Sequence, residues 1–425
     1  MKQRRGRRDL SRAPSIVHGN SPTRASRIDD RGRDGYLPSV VSQAPPRIAV
    51  VSADRGVALR GPGGGVHLRG LAAGLRRAGA EVAVFAARLD GPGPPAPLPD
   101  VSITPLRRGR CPGVLRRRSR LLDLRVDARA ASRRAVRAVR RFGPSLVYER
   151  YALFADAGRR IRRDAGVPWV LEVNAPRAWE AALFEGLPVT RRMIEAETAL
   201  LRAADRVVVV SAALEAWVRA RGVAADRVAL VPNGASASPA APPRGPFRIG
   251  YAGTFKPWHR LPESVPALAR LASERGPTVL ELHGDGPDRA RLIAALEGVS
   301  IRVEDRSWAA PDTLDAARTR WHVAWVPAPA AWPPDPDRAR RLEDLLGEPC
   351  PARWFDPLKG AEARAAGLPV WTGGDAPPAL DPRPVEGWTS TAAAAVGGLQ
   401  WNDPRSLAGS RMWTALAGVA GGAPR

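Results

Sequence analysis

Apolar positions in this chain fall into short runs separated by stretches of helical spacing. Arg47-Ile48-Ala49-Val50-Val51 reads as a buried strand, and a glycine-rich turn from Gly61 to Gly65 follows it. Leu68, Leu71, Ala72 and Leu75 then recur on one helix face, and Glu81-Val82-Ala83-Val84-Phe85 forms a second strand. Strand, turn, helix and strand make a βαβ unit. The alternation continues through Leu146-Val147-Tyr148, a helix from about Leu153 to Arg163, the strand Trp169 to Val173, a helix near Arg191 to Arg202, and Val207 to Val210. It restarts at Arg248-Ile249-Gly250-Tyr251-Ala252-Gly253 and at Val279 to His283. Such alternation predicts an α/β fold of two Rossmann-like domains, their parallel sheets facing across an interdomain cleft, with ligands taken at the carboxyl ends of the strands.

The breaks in that pattern set the domain organisation. Residues 1–45 are rich in Arg, Ser, Asp, Pro and Gly without hydrophobic period, and are expected to be a disordered basic tail. Residues 46–235 make the N-terminal domain, 236–246 an Ala/Pro-rich linker, 247–400 the second domain with an insertion at about 329–353, and 401–425 a C-terminal segment.

Composition then narrows the partners. The formal charge of +24 favours anionic surfaces or phosphates and says nothing about fold. Aromatic and basic residues do not interleave as in single-strand binders and no zinc finger is present, so nucleic acid is not an expected partner. Cys111 and Cys350 lack metal-ligand spacing, and no run of about 18 apolar residues exists, which together point to a cytoplasmic location. Fourteen arginines lie between positions 107 and 141. They form either a face that docks on anionic lipid at the inner side of the membrane or a solvated arginine-rich face.

Chemistry concentrates in Asp356-Pro357-Leu358-Lys359-Gly360-Ala361-Glu362, the start of a short helix that Asp356 is expected to cap and that Gly367 and Pro369 end. Lysine occurs only at Lys2, Lys256 and Lys359, so 63 of the 66 basic residues are arginine. Lys359 sits in the first helical turn, where the macrodipole disfavours a cation. Either an anion bound at the helix start resolves that conflict, or Lys359 and Glu362 form a solvated surface pair. Gly63, Gly64 and Gly65 let the backbone approach a phosphate or sugar, but Val66 stands where the dinucleotide fingerprint needs its last glycine, so no nicotinamide cofactor is expected. His67 in the following turn is either structural or catalytic. Glu149-Arg150 and Glu172-Val173-Asn174-Ala175-Pro176 fall at strand ends, where they either face a cleft or cap the next helix.

Taken in order, Gly63 to Arg69, Tyr148-Glu149-Arg150-Tyr151, Glu172 to Pro176, Val231-Pro232-Asn233-Gly234, Gly253-Thr254-Phe255-Lys256-Pro257-Trp258-His259 and His283-Gly284-Asp285-Gly286-Pro287 resemble the motifs of a family-4 glycosyltransferase of the two-Rossmann GT-B type. The resemblance covers residues 47–372. It implies retaining transfer from a nucleoside-diphosphate sugar to a hydroxyl acceptor, with no metal and no further cofactor. By that likeness Glu362 binds the nucleotide ribose, Lys359 lies near the diphosphate, Gly253, Gly284 and Gly286 line the donor, and Gly63, Gly64, Gly65, Glu149, Arg150, Glu172 and Asn174 form the acceptor side. His67, Lys256, His259 and Lys359 are the candidate catalytic residues. The sequence departs from the family at four places. Trp354 stands where a second glutamate is usual, Thr254 replaces an arginine, His259 a lysine and Arg260 a glycine. These departures leave an alternative, a catalytically impaired GT-B protein that acts as a binding or partner module.

Overall fold

The structure is a computed structural model that describes residues 45–397, except 92–96, 99, 107–118, 237–243, 329–331, 382 and 384. The expected basic tail, Cys111, most of the linker, the first residues of the arginine-rich stretch and the segment 401–425 lie outside the described residues.

Seven parallel strands build the first sheet: β1 (Arg47–Ser52), β2 (Glu81–Ala86), β3 (Ser102–Pro105), β4 (Leu146–Arg150), β5 (Trp169–Val173), β6 (Arg206–Val209) and β7 (Val228–Leu230). Their order is β3-β2-β1-β4-β5-β6-β7, so the chain reverses direction across the sheet between β1 and β4. That reversal opens a crevice at the strand ends. Helices α1 (Gly64–Arg77), α2 (Arg120–Phe142), α3 (Ala157–Ala165), α4 (Arg177–Glu185), α5 (Arg191–Ala203) and α6 (Ala212–Ala220) cover its faces. Alternate residues of β1 serve the two faces. Ile48 and Val50 pack with Leu68, Leu71 and Leu75 of α1, whereas Ala49 and Val51 pack in the cluster that holds Ala135 and Val139 of α2. A strand buried on both faces has no polar positions, which is why Ile48 to Val51 is an unbroken apolar run.

The second sheet holds β8 (Phe247–Ala252), β9 (Thr278–His283), β10 (Arg302–Arg306), β11 (Val323–Trp325) and β12 (Val370–Trp371), in the order β10-β9-β8-β11-β12. Every pairing between named strands in both sheets is parallel. Helices α7 (Val265–Arg275), α8 (Arg289–Ala295), α9 (Pro311–Arg318), α10 (Pro336–Leu346), α11 (Leu358–Ala365) and α12 (Trp388–Val396) complete the described chain. Among the described residues no helix is long and apolar enough to cross a membrane. Arg125, Arg129, Arg133, Arg137 and Arg141 are exposed on α2, opposite the buried Ala128, Ala131, Ala135 and Val139. Both readings of the arginine-rich stretch share this geometry.

Two elements of the second domain pack outside it. The insertion does not stay with it. Ala339 and Leu346 of α10, and Trp354 beyond it, are buried in the core of the first domain, packed against α4 and α5. Trp354 is fully buried and meets Trp332 edge-on at 4.8 Å. Ser211 donates to the Trp354 carbonyl at 2.9 Å, and Arg221 donates to Glu348 at 2.6 Å. Helix α12 likewise returns to the first domain and lies along α1, where Ala392, Ala395 and Val396 enter the core beneath β1 and β2. The fit is close. A Cβ on Gly70 would stand 2.1 Å from the Trp388 ring, so glycine is needed there. Within residues 247–400, α10 and α12 are thus two straps that run back to the first domain.

Candidate active site

The donor-side residues come together around the ends of β8 and β9. Gly253 follows β8 in a backbone region open to glycine (φ 155°), and Gly284 follows β9 with φ 117°. A Cβ on Gly284 would lie 2.0 Å from the Gly253 carbonyl, so the two turns can touch only without side chains. Phe255 N–H donates to the Asp285 carbonyl at 3.1 Å and fixes them side by side. Gly286 packs against the backbone of Phe255 in the same way.

Helix α11 points its first turn at this pair of turns. Lys359 Nζ is buried, has no hydrogen-bond partner among the described residues, and lies 4.7 Å from the centre of the Tyr251 ring. A Cβ on Gly253 would stand 3.3 Å from that nitrogen. Burial lowers the Lys359 ammonium from its ordinary value to about 7, against a smaller opposing pull from Glu362. Tyr251 donates its hydroxyl to the Thr254 carbonyl at 2.7 Å, so its oxygen accepts from His259 Nδ1 at 3.1 Å. Burial first, then the charges of Lys359 and Lys256, push His259 down to about 2, which leaves a neutral imidazole. Lys256 reaches over the Trp258 ring at 5.2 Å, and Trp258 packs on Phe184 of the first domain at 4.9 Å.

The surface-pair reading of Lys359 and Glu362 is not what forms. Glu362 Oε2 accepts from Arg318 at 2.6 Å instead, and burial raises its carboxyl against the pull of Arg318. Nor does Asp356 cap α11. Pro357 is the residue before the helix and no side chain caps it. Asp356 is committed elsewhere: its carboxylate accepts from Asn233 N–H at 2.9 Å, and its carbonyl accepts from the Asn233 amide at 2.8 Å.

That contact ends a buried polar chain across the first domain. Asn233 Oδ1 lies 2.7 Å from His67 Nδ1, and His67 Nε2 lies 2.7 Å from Glu172 Oε2. The amide end of Asn233 faces Asp356, so its oxygen faces the ring, and both nitrogens of His67 meet acceptors. Glu172 is the hub. It also accepts from Tyr148 at 2.8 Å, from Arg150 at 2.7 Å and from Asn174. Burial alone would raise its carboxyl, but His67, then Arg150 and Asn174, hold it well below the usual carboxylate range.

Residues 62–234 match the family described as a glycosyl transferase 4-like domain. The first domain thus carries a glycosyl transferase 4-like domain. The fold of the chain is GT-B. The structure of sucrose-phosphate synthase from Thermosynechococcus elongatus superposes with a TM-score of 0.55 at 20% identity, covering 76% of this chain and 80% of that one. Anabaena HepE in complex with UDP-glucose superposes with a TM-score of 0.50 at 15% identity, covering 76% and 79%. No curated protein matches the sequence.

In this chain the expected donor residues Gly253, Gly284, Gly286, Lys256, His259 and Lys359 share one neighbourhood, with Glu362 one turn along α11. On the acceptor side Arg150, Glu172 and Asn174 are joined to His67, and Arg150 lies beside Gly64. A Cβ on Gly65 would stand 2.1 Å from the Ala58 carbonyl, which ties the glycine-rich turn to its own loop. His67 has both ring nitrogens engaged, one by Asn233 and the other by Glu172. Glu149 faces away from the cleft. Its buried carboxylate accepts from the Ala157 and Gly158 N–H groups at 3.1 and 2.9 Å, so it caps α3, and burial pushes it up to about 7. This same bond starts α3 at Ala157, four residues later than Leu153. Arg318 and Tyr251, which hold Glu362 and floor Lys359, were not among the expected site residues. Tyr251 lies in a quoted strand and carried a signal as its one hydroxyl, whereas Arg318 is one arginine among many.

Proposed function

We propose that this chain is a glycosyltransferase that moves a sugar from a nucleoside-diphosphate sugar to a hydroxyl acceptor, a glycan, lipid-linked glycan or small metabolite, with retention of anomeric configuration. The observation that carries the reading is Lys359, a buried ammonium in the first turn of a helix with no counter-charge bonded to it among the described residues. Leaving such a group unpaired disfavours the folded state, and a diphosphate at the helix start supplies the missing anion. The GT-B fold shared with HepE, whose structure holds UDP-glucose, supports a nucleotide-sugar donor. Glu362, held by Arg318 through one carboxylate oxygen, then offers the other to the ribose hydroxyls. As the glycosidic bond breaks, charge builds on the departing diphosphate, and Lys359 with the α11 amides meets it. This scheme uses no metal, and unchanged turnover in EDTA checks that point.

Thermal stabilisation by a panel of nucleoside-diphosphate sugars tests the reading. A ligand at about a hundred times its Kd should add about 2.7 kcal/mol to the stability of the folded state. No stabilisation by any member of the panel would contradict it. A second reading has one observation in its favour: Trp354, at the position of the family's second glutamate, is buried in the first domain and out of reach of a sugar. It describes a catalytically impaired partner module, and it predicts no turnover of any donor, even one that binds.

A further inference from the structure

A second concave site lies at the carboxyl edge of the first sheet, apart from the donor group. It is a cavity of about 360 Å³ lined by Asp54, Arg55, Arg88, Arg120, Arg177 and Glu185 among others. Asp54 and Arg55 follow β1, Arg88 follows β2, and Arg177 and Glu185 are the two ends of α4. Parallel sheets take ligands at this edge.

The hydrogen-bond inventory of the lining is one-sided. Glu185 has spent both carboxylate oxygens: Oε1 accepts from Arg177 at 3.3 Å and Oε2 from Arg120 at 3.3 Å. Asp54 has spent Oδ1 on the Gly56 N–H at 2.7 Å. Arg55 is steadied by a bond to Asp123 at 2.6 Å and an ion pair with Asp127 at 3.7 Å, Arg177 also by Glu180, and Arg88 by bonds to the Asp90 and Arg55 carbonyls. Each arginine is thereby oriented through part of its fork, and N–H groups remain uncommitted among the described residues. Arg177 Nε is the clearest case, buried with no partner there. A guanidinium has five donors and no acceptor. A ligand entering the cavity therefore meets four guanidinium groups and a single unspent carboxylate oxygen, Oδ2 of Asp54. A neutral sugar hydroxyl, which both donates and accepts, matches such a lining poorly. A phosphate or carboxylate, which only accepts, matches it well.

The cavity also lies on the side of the donor group. Phe184, next to Glu185 on α4, packs on Trp258, which stands two residues after Lys256 and directly before His259. We propose that this cavity holds the anionic group, a phosphate or carboxylate, of the hydroxyl compound that receives the sugar. The acceptor role rests on the transferase reading; the binding of an anion does not.

Titration calorimetry with inorganic phosphate, and separately with succinate, tests the site in the full chain with UDP present at saturation to occupy the donor side. The wild type should bind one of the two saturably, which tells phosphate from carboxylate. Arg55→Gln and Arg88→Gln should each weaken that binding at least tenfold. Arg88 is exposed, so its variant keeps the fold intact and the result readable. No saturable binding of either anion by the wild type, or equal affinity in the wild type and Arg88→Gln, would overturn the proposal. UDP-glucose stabilisation is read in a separate sample, so loss of the transferase reading and loss of this site give different results.

Discussion

Lys359 is the residue on which the proposed donor site turns, because its charge is held where the fold penalises it. Burial brings its ammonium down to about 7, and a diphosphate beside it favours the charged form. The group's pKa therefore rises on binding. Its contribution to affinity is fully present below about pH 7 and is lost as pH rises through the value it holds in the complex. UDP affinity of the wild type should fall between pH 7 and 9, by up to about tenfold per unit over part of that range. Lys359→Arg, charged throughout, should flatten the profile, and a profile of equal slope in both proteins would contradict the assignment. Its isolation among 63 arginines made Lys359 legible in the sequence, as did its place in a first turn. Its missing counter-charge was not legible, because Glu362 is taken by Arg318 from α9, a partner 44 positions earlier. His67 shows the same limit. Its position in the turn after Gly65 was plain, yet whether it was free or tied depended on Asn233 and Glu172, far away in the chain.

At the level of elements, the alternation of strands and helices was legible because strands buried on both faces leave unbroken apolar runs. The weaker strands were not. β3, β10 and β11 are short or exposed, and Arg302 to Arg306 contains a single apolar residue. The straps α10 and α12 escaped the reading for another reason. Their partners lie in the other half of the chain, and nothing local in a charged stretch such as Asp335 to Glu348 reports which domain it covers. Trp354 is the fully buried aromatic at the end of the first strap. Trp354→Ala should cost about 3 to 5 kcal/mol, the range for removing a large aromatic from a packed core, as measured by urea unfolding. Trp354→Glu should not recover a family-like site, since it puts a carboxylate into the contacts of Trp332, Phe355 and Phe184. A stability equal to wild type in Trp354→Ala would mean that the strap is not held by this side chain.

For the whole molecule, the two sheets are joined at more places than the linker. The α10 strap, the α12 strap, the Trp258 to Phe184 contact and the Asn233 to Asp356 bonds all cross between them. Helix α11 begins two residues after Asp356, so its start is fixed to the first domain by the same residue that ends the polar chain through His67. The net charge of +24, the remaining global feature of the sequence, says nothing of this arrangement and bears only on the partners it attracts. The central claim is that the group around Lys359 acts on a nucleoside-diphosphate sugar. Release of nucleoside diphosphate from a panel of such donors, by wild type, Lys359→Ala and Glu362→Ala, tests it most directly. Wild type should turn over at least one donor, and each variant should lower kcat/KM for that donor at least a hundredfold. Equal turnover in all three proteins would contradict the account.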